Sequence, residues 1–118
     1  MKINILGTEY EFCVKPYDSE PAFKDKGISG WCDGTMKEIV LCDPATLPIF
    51  AGESQEFCER YKRECLRHEI VHAYFNESGL MDSALAYDKA WARNEEMVDW
   101  IAQQGPKIYK TWQEAGAL

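Results

Sequence analysis

The chain has 118 residues, 46% of them hydrophobic and 13% aromatic, enough apolar side chain for one packed domain and too much for a disordered or collagen-like class. Twenty acidic against thirteen basic residues give a formal charge of -7, which repels phosphate backbones and anionic lipid, so neither nucleic acid nor membrane is expected as a partner. The longest unbroken apolar run, Ile39 to Cys42, is far short of a spanning helix, and MKINILGTEY lacks the apolar stretch of a signal peptide; the expected location is the cytoplasm.

Residues 2–14 alternate loosely around Gly7-Thr8, with Ile3, Ile5, Tyr10, Phe12 and Val14 as inward positions of two short strands. A hairpin is expected there. Lys15 to Lys26 holds two prolines and several charges without a period, which reads as a surface loop. Asp33-Gly34 then sits between two β-capable runs, the strongest short hairpin signal, and predicts strands near 28–32 and 36–42. The N-terminal third is therefore expected to form a small antiparallel sheet of three to four strands.

Asp43-Pro44 and Pro48 end the last strand, and from Glu53 the composition turns to Glu, Lys, Arg, Leu and aromatic residues. Phe57, Cys58, Tyr61, Cys65, His68 and His72 recur at helical spacing and predict a central helix ending near Asn76, with Gly79 as its stop. Asp82-Ser83 can cap a further segment. A second helix is predicted over Ala84 to Gln104, ended by Gly105-Pro106, and Lys107 to Ala115 can add another turn or two. The fold class expected is α+β: a small sheet, one helix, and a second helix folding back on it, all in a single domain spanning 1–118.

His68-Glu69-Ile70-Val71-His72 is an H-E-x-x-H motif on that first helix, where a turn of 100° per residue places both imidazoles on one face. The chain has only two histidines. Chance would set them four apart, with Glu after the first, on the order of once in 500 sequences. Two ring nitrogens at this spacing suit Zn²⁺, whose catalytic sites use three protein ligands and a water. Glu69 adjoins the ligand face and suits a general base that takes a proton from water acidified by the ion. The bland alternative is a surface helix whose histidines are ordinary solvated residues, with Glu64 and Arg67 paired to their neighbours.

A third ligand must come from elsewhere, and Asn94-Glu95-Glu96-Met97-Val98-Asp99 lies far enough downstream to fold back. Glu95 is the first choice and Glu96, turned about 100° away, the second. With Glu95 as ligand, Asp99 stands one turn on, able to accept the other ring N–H of a histidine and fix its tautomer.

H-E-x-x-H followed by N-E-x-x-x-D resembles the gluzincin metallopeptidases. The small size, the sheet before the helix and the run NEEMVDWIA are more similar to the compact ImmA/IrrE-like metallopeptidases, including forms encoded by phages and mobile elements; the likeness covers roughly residues 28–104. Val71 stands where that family often has glycine, and Glu-Glu-Met-Val-Asp stands in place of its third-ligand run. The resemblance implies a zinc metallopeptidase with His68, His72 and Glu95 as ligands, Glu69 as base, Asp99 behind a histidine, and a peptide or protein substrate such as a regulator. It also implies that the strand before the helix binds an extended peptide, which would make Met36 to Leu41 the substrate edge.

Rival readings differ in kind. A zinc-stabilised interaction module without peptidase activity would carry the same ligands, and a metal-free interaction domain would carry none. Cys58 and Cys65 share a helical face with His72, but one straight helix cannot wrap four ligands around an ion, so all five cysteines (13, 32, 42, 58 and 65), which include no C-x-x-C pair, are expected to be reduced and mostly buried. Trp31, Trp91, Trp100 and Trp112 are expected in the core or in a groove wall. Tyr74, Tyr87 and Tyr109 are candidates to steady an oxyanion, and nothing in their spacing selects one.

Overall fold

The structure is a computed structural model that describes residues 1–82, 91–116 and 118. Four strands form one sheet: β1 (Lys2–Ile5), β2 (Thr8–Lys15), β3 (Gly30–Asp33) and β4 (Glu38–Cys42), in the spatial order β1-β2-β4-β3. A short helix α1 (Pro21–Asp25) precedes β3, and two long helices, α2 (Gln55–Glu77) and α3 (Glu95–Glu114), follow the sheet. The α+β class expected from the sequence is the architecture found. No helix among the described residues is long and apolar enough to cross a membrane.

The β1–β2 hairpin turns through Leu6 and Gly7, both at positive φ, the backbone hand that matches the twist of two paired strands. Ile5 and Tyr10 enter the core, whereas Val14, expected to face inward, is exposed. Asp33 Oδ1 accepts from the backbone N–H groups of Thr35 and Met36 at 2.8 and 2.9 Å, which closes the β3–β4 turn.

The sheet is mixed rather than wholly antiparallel, because β4 runs parallel to β2, from Glu11 opposite Glu38 to Lys15 opposite Cys42. The chain between these two parallel strands, residues 16–37, includes β3, which runs antiparallel to β4 and brings the chain back to the end of the sheet where β4 starts. That connection is also more than a loop: Pro21 opens α1, and Phe23 buries its ring 5.4 Å from that of Trp31. β4 is central because Ile39, Val40, Leu41 and Cys42 are all buried, a continuous apolar run that needs cover on both faces. β3 is left at the edge. Met36 to Leu41 is therefore not a free edge, since β4 is paired on both sides; the open edge belongs to Gly30–Asp33.

Ser54 caps α2 by accepting from Phe57 N at 3.1 Å, and Gly79, at φ 78, lies just past its end. The last residue of α2, Glu77, accepts hydrogen bonds from Thr8 Oγ1 (2.8 Å), Tyr10 Oη (2.7 Å) and Lys37 Nζ. This ties the end of α2 to both hairpins. Ala73 packs with Ile5, Tyr10 and Ile39 in one core cluster, while Phe23, Val40, Cys42 and Leu47 form a second against Trp31 and Tyr61.

The second long helix differs from its expected bounds. Asn94 caps it by accepting from Met97 N at 2.9 Å, so it starts at Glu95; Trp91–Arg93 is a separate turn. The part expected over 83–90, with Ser83 of the Asp82-Ser83 cap, lies outside the described residues. Gly105-Pro106 does not end the helix, which runs on to Glu114. Proline at 106 removes the N–H that would bond the Ala102 carbonyl, and Arg67 Nε of α2 donates to that oxygen instead, at 2.9 Å. Trp100 and Trp112 are exposed on α3, contrary to a core role.

Candidate metal centre

On α2 the buried line runs through Cys58, Glu69 and Ala73. Glu69 is thus the deepest polar side chain of the helix, 7% exposed, and the two histidines flank it toward α3. Gly30 of β3 lies close against β4. A Cβ there would meet Leu41 Cδ2 at 2.6 Å and the Val40 carbonyl oxygen at 2.8 Å, with Glu69 Oε1 next at 3.5 Å. Gly34 is equally constrained, since its Cβ would strike the Asn76 side chain at 2.7 Å. Gly34 therefore lets the β3–β4 turn lie close against α2, while Gly30 lets β3 lie close against β4.

Among the described residues, His68, Glu69 and His72 form a group able to hold a metal ion, with one ligand atom from each lying within 4.8 Å of the others. A tighter triangle forms with α3. His68 Nε2, His72 Nε2 and Glu95 Oε2 are 3.1 Å apart on all three sides. Three donors around a tetrahedral ion with bonds of about 2.0 to 2.1 Å stand about 3.3 to 3.4 Å apart, so this triangle has the size of three ligands sharing one zinc-sized cation. Glu69 lies beside this triangle, with a ligand atom within 4.8 Å of those of both histidines.

The proton count supports the same reading. His68 Nδ1 lies 2.7 Å from Asp99 Oδ1, a contact in which the ring nitrogen donates to the carboxylate. Neutral His68 then carries its lone pair on Nε2, aimed at the centre of the triangle. Burial lowers the affinity of His72 for a second proton, against the pull of Glu95, and so favours the neutral ring that a metal requires. Three acceptor atoms converge with too few protons to join them all. A cation satisfies every one.

Burial pushes the Glu69 carboxyl up to about 7; nearby His68 opposes the rise and Glu95 adds to it. A carboxyl so poised can both take and return a proton near neutral pH.

The structure places most of the residues singled out in the sequence. His68, His72, Glu95, Glu69 and Asp99 come together as expected. Glu96 is exposed and does not line the cleft beside the histidines, which Glu95 does. Tyr74 and Tyr109 are exposed; Tyr74 lines a separate apolar groove with Ile70 and Ile101, and Tyr87 lies outside the described residues. Cys58 is buried as expected of a core thiol, but Cys13 is exposed. Cys32 lines the cleft next to Asn76, and burial pushes its thiol up to about 12, which keeps it protonated. Trp31, a partly buried neighbour, forms part of the same wall.

Sequence reasoning missed Gly30, Arg67 and Asn76. Gly30 announces nothing without knowledge of what packs against it, and Arg67 bonds a carbonyl whose need arises only from Pro106. No family model, no curated protein and no solved structure gives a significant match to this chain.

Proposed function

We propose that this chain is a zinc-dependent metallopeptidase, as the resemblance of its motifs to the gluzincin and ImmA/IrrE-like families implies. The observation that carries the reading is the equal-sided triangle of His68 Nε2, His72 Nε2 and Glu95 Oε2 with the buried Glu69 carboxyl at its side. A zinc ion held by these three residues supplies Lewis acidity, polarising a carbonyl and acidifying water.

The rest is the work of the chain itself. Glu69, buried beside the triangle, accepts a proton from the attacking water and returns it to the departing amine. Asp99 holds the His68 ring in one tautomer and orientation. β3 offers an edge beside the centre that no strand among the described residues pairs with, and Gly30, Trp31 and Cys32 line the same cleft as His68 and Glu69. An extended peptide added to that edge would present its carbonyl groups along the cleft, which favours a peptide or protein substrate.

Substitution Glu69→Gln tests the mechanism, because it removes the base and leaves the three ligands. Zinc content is expected to persist, while turnover of fluorogenic peptides falls by about 10²- to 10⁴-fold. Unchanged turnover in this variant would exclude Glu69 as the base. Peptides bound but left intact by the zinc-loaded parent would instead favour an interaction module.

A further inference from the structure

We propose that the pocket beside Glu69 toward the N-terminal end of α2 selects a basic side chain of the bound peptide, and that Glu64 is the residue that selects it. The proposal rests on the peptidase reading and adds its side-chain preference.

The cleft has two arms that share Ile28, Gly30, His68 and Glu69. Toward the end of α2 the walls are Trp31, Cys32, Asn76 and Met81, with Glu95 at the centre as the only further carboxylate among the described residues. Toward the start of α2 the walls are of another kind. Ile28, Tyr61, Cys65 and Ala102 make an apolar bed, and Glu64 and Asp99 add two carboxylates beyond Glu69. No lysine or arginine lines this arm among the described residues.

Its size suits one long side chain. The cavity measures about 340 Å³, at the small end of the range for whole ligands. Tyr61 is held in place by the 2.8 Å hydrogen bond between its hydroxyl and Ser29 Oγ, so the bed is a fixed surface. Glu64 is 46% exposed and stands at the mouth, where the charged head of a lysine or arginine lies when its stem rests on apolar walls. The present partner of Glu64 is Arg60, 3.6 Å away and 78% exposed. An ion pair so exposed contributes little and yields readily to a better-placed cation. Asp99 keeps one oxygen on His68 and adds its charge to the same wall. An acidic side chain entering here meets like charge without compensation, so the wall rejects as well as attracts.

The test uses short peptide hydroxamates, which anchor on zinc whether or not a peptide bond is cut. Two series, with the variable residue on either side of the hydroxamate, carry lysine, leucine or glutamate. Affinities are measured calorimetrically for the zinc-loaded parent, Glu64→Gln and Glu64→Lys, with fluorogenic peptides of the same residues assayed in parallel. In one series the lysine compound is expected to bind the parent about tenfold more tightly than the leucine compound, with glutamate weakest. Glu64→Gln removes that advantage and leaves leucine unchanged, while Glu64→Lys reverses the order of lysine and glutamate. Equal binding of all three, or a lysine preference that survives Glu64→Gln, overturns the assignment. If the lysine preference holds while no peptide is cut, the peptidase reading fails and the pocket stands; if no hydroxamate binds, both fall.

Discussion

Asp99 shows how far a single side chain reaches. Its 2.7 Å contact with His68 Nδ1 decides which nitrogen of that ring keeps a lone pair. Asp99→Ala is expected to weaken zinc binding by about 10- to 100-fold without unfolding the chain, because its side chain is 57% exposed. A competition titration against a chromophoric chelator reads this directly, and an unchanged affinity would deny Asp99 its positioning role. Glu77 governs stability by a different route. Hydrogen bonds from Lys37, Tyr10 and Thr8 hold its carboxyl at about 2 instead of the usual 4.5. With the folded value depressed, its contribution is complete above about pH 4.5 and is lost as the pH falls toward 2. Glu77→Gln should therefore melt below the parent at pH 7, with the gap closing between pH 4.5 and 2. A gap independent of pH would mean that the charge of Glu77 is immaterial.

At the scale of elements, α3 can present Glu95 and Asp99 only because it starts at the Asn94 cap and stays docked on α2 through the bond from Arg67 to the Ala102 carbonyl. Ala102 is 5% exposed, so leaving its carbonyl without a donor costs about 1–3 kcal/mol. Arg67→Ala is expected to lower stability by about that amount in denaturant titration, and adding Pro106→Ala should recover much of it, since an alanine at 106 restores the helical N–H. Losses that simply add in the double variant would show that Arg67 acts elsewhere. This arrangement also explains what could be read in the chain. α2 was legible because its period, its Gly79 stop and its H-E-x-x-H motif all sit within one stretch of sequence, whereas its Ser54 cap was not singled out. Glu95 was legible as an acid far enough downstream to fold back on α2, although its helix was expected to start at Ala84 and starts at Glu95 itself. The passage of α3 through Pro106 was not, because its remedy lies 35 residues away in the chain on another helix. The parallel pairing of β2 with β4 was hidden for a similar reason: two apolar strands specify burial, while their direction depends on the crossover. α1 is five residues long, too short to show a period.

For the whole molecule, the sheet is a floor, α2 lies along it, and α3 closes the site from above. Glu69 belongs to the buried side of α2, the two histidines to its rim, and Glu95 to a separate helix, so a shared cation would link elements distant in sequence. Because the folded chain alone brings these donors together, an ion bound by them would favour the folded state. The most direct measurement is a calorimetric titration of the metal-free chain with zinc, repeated on His72→Ala and Glu95→Ala. One zinc per chain, with affinity lost in His72→Ala and sharply reduced in Glu95→Ala, is the result expected. No binding by the parent, or equal binding by all three proteins, would contradict a metal centre at this place.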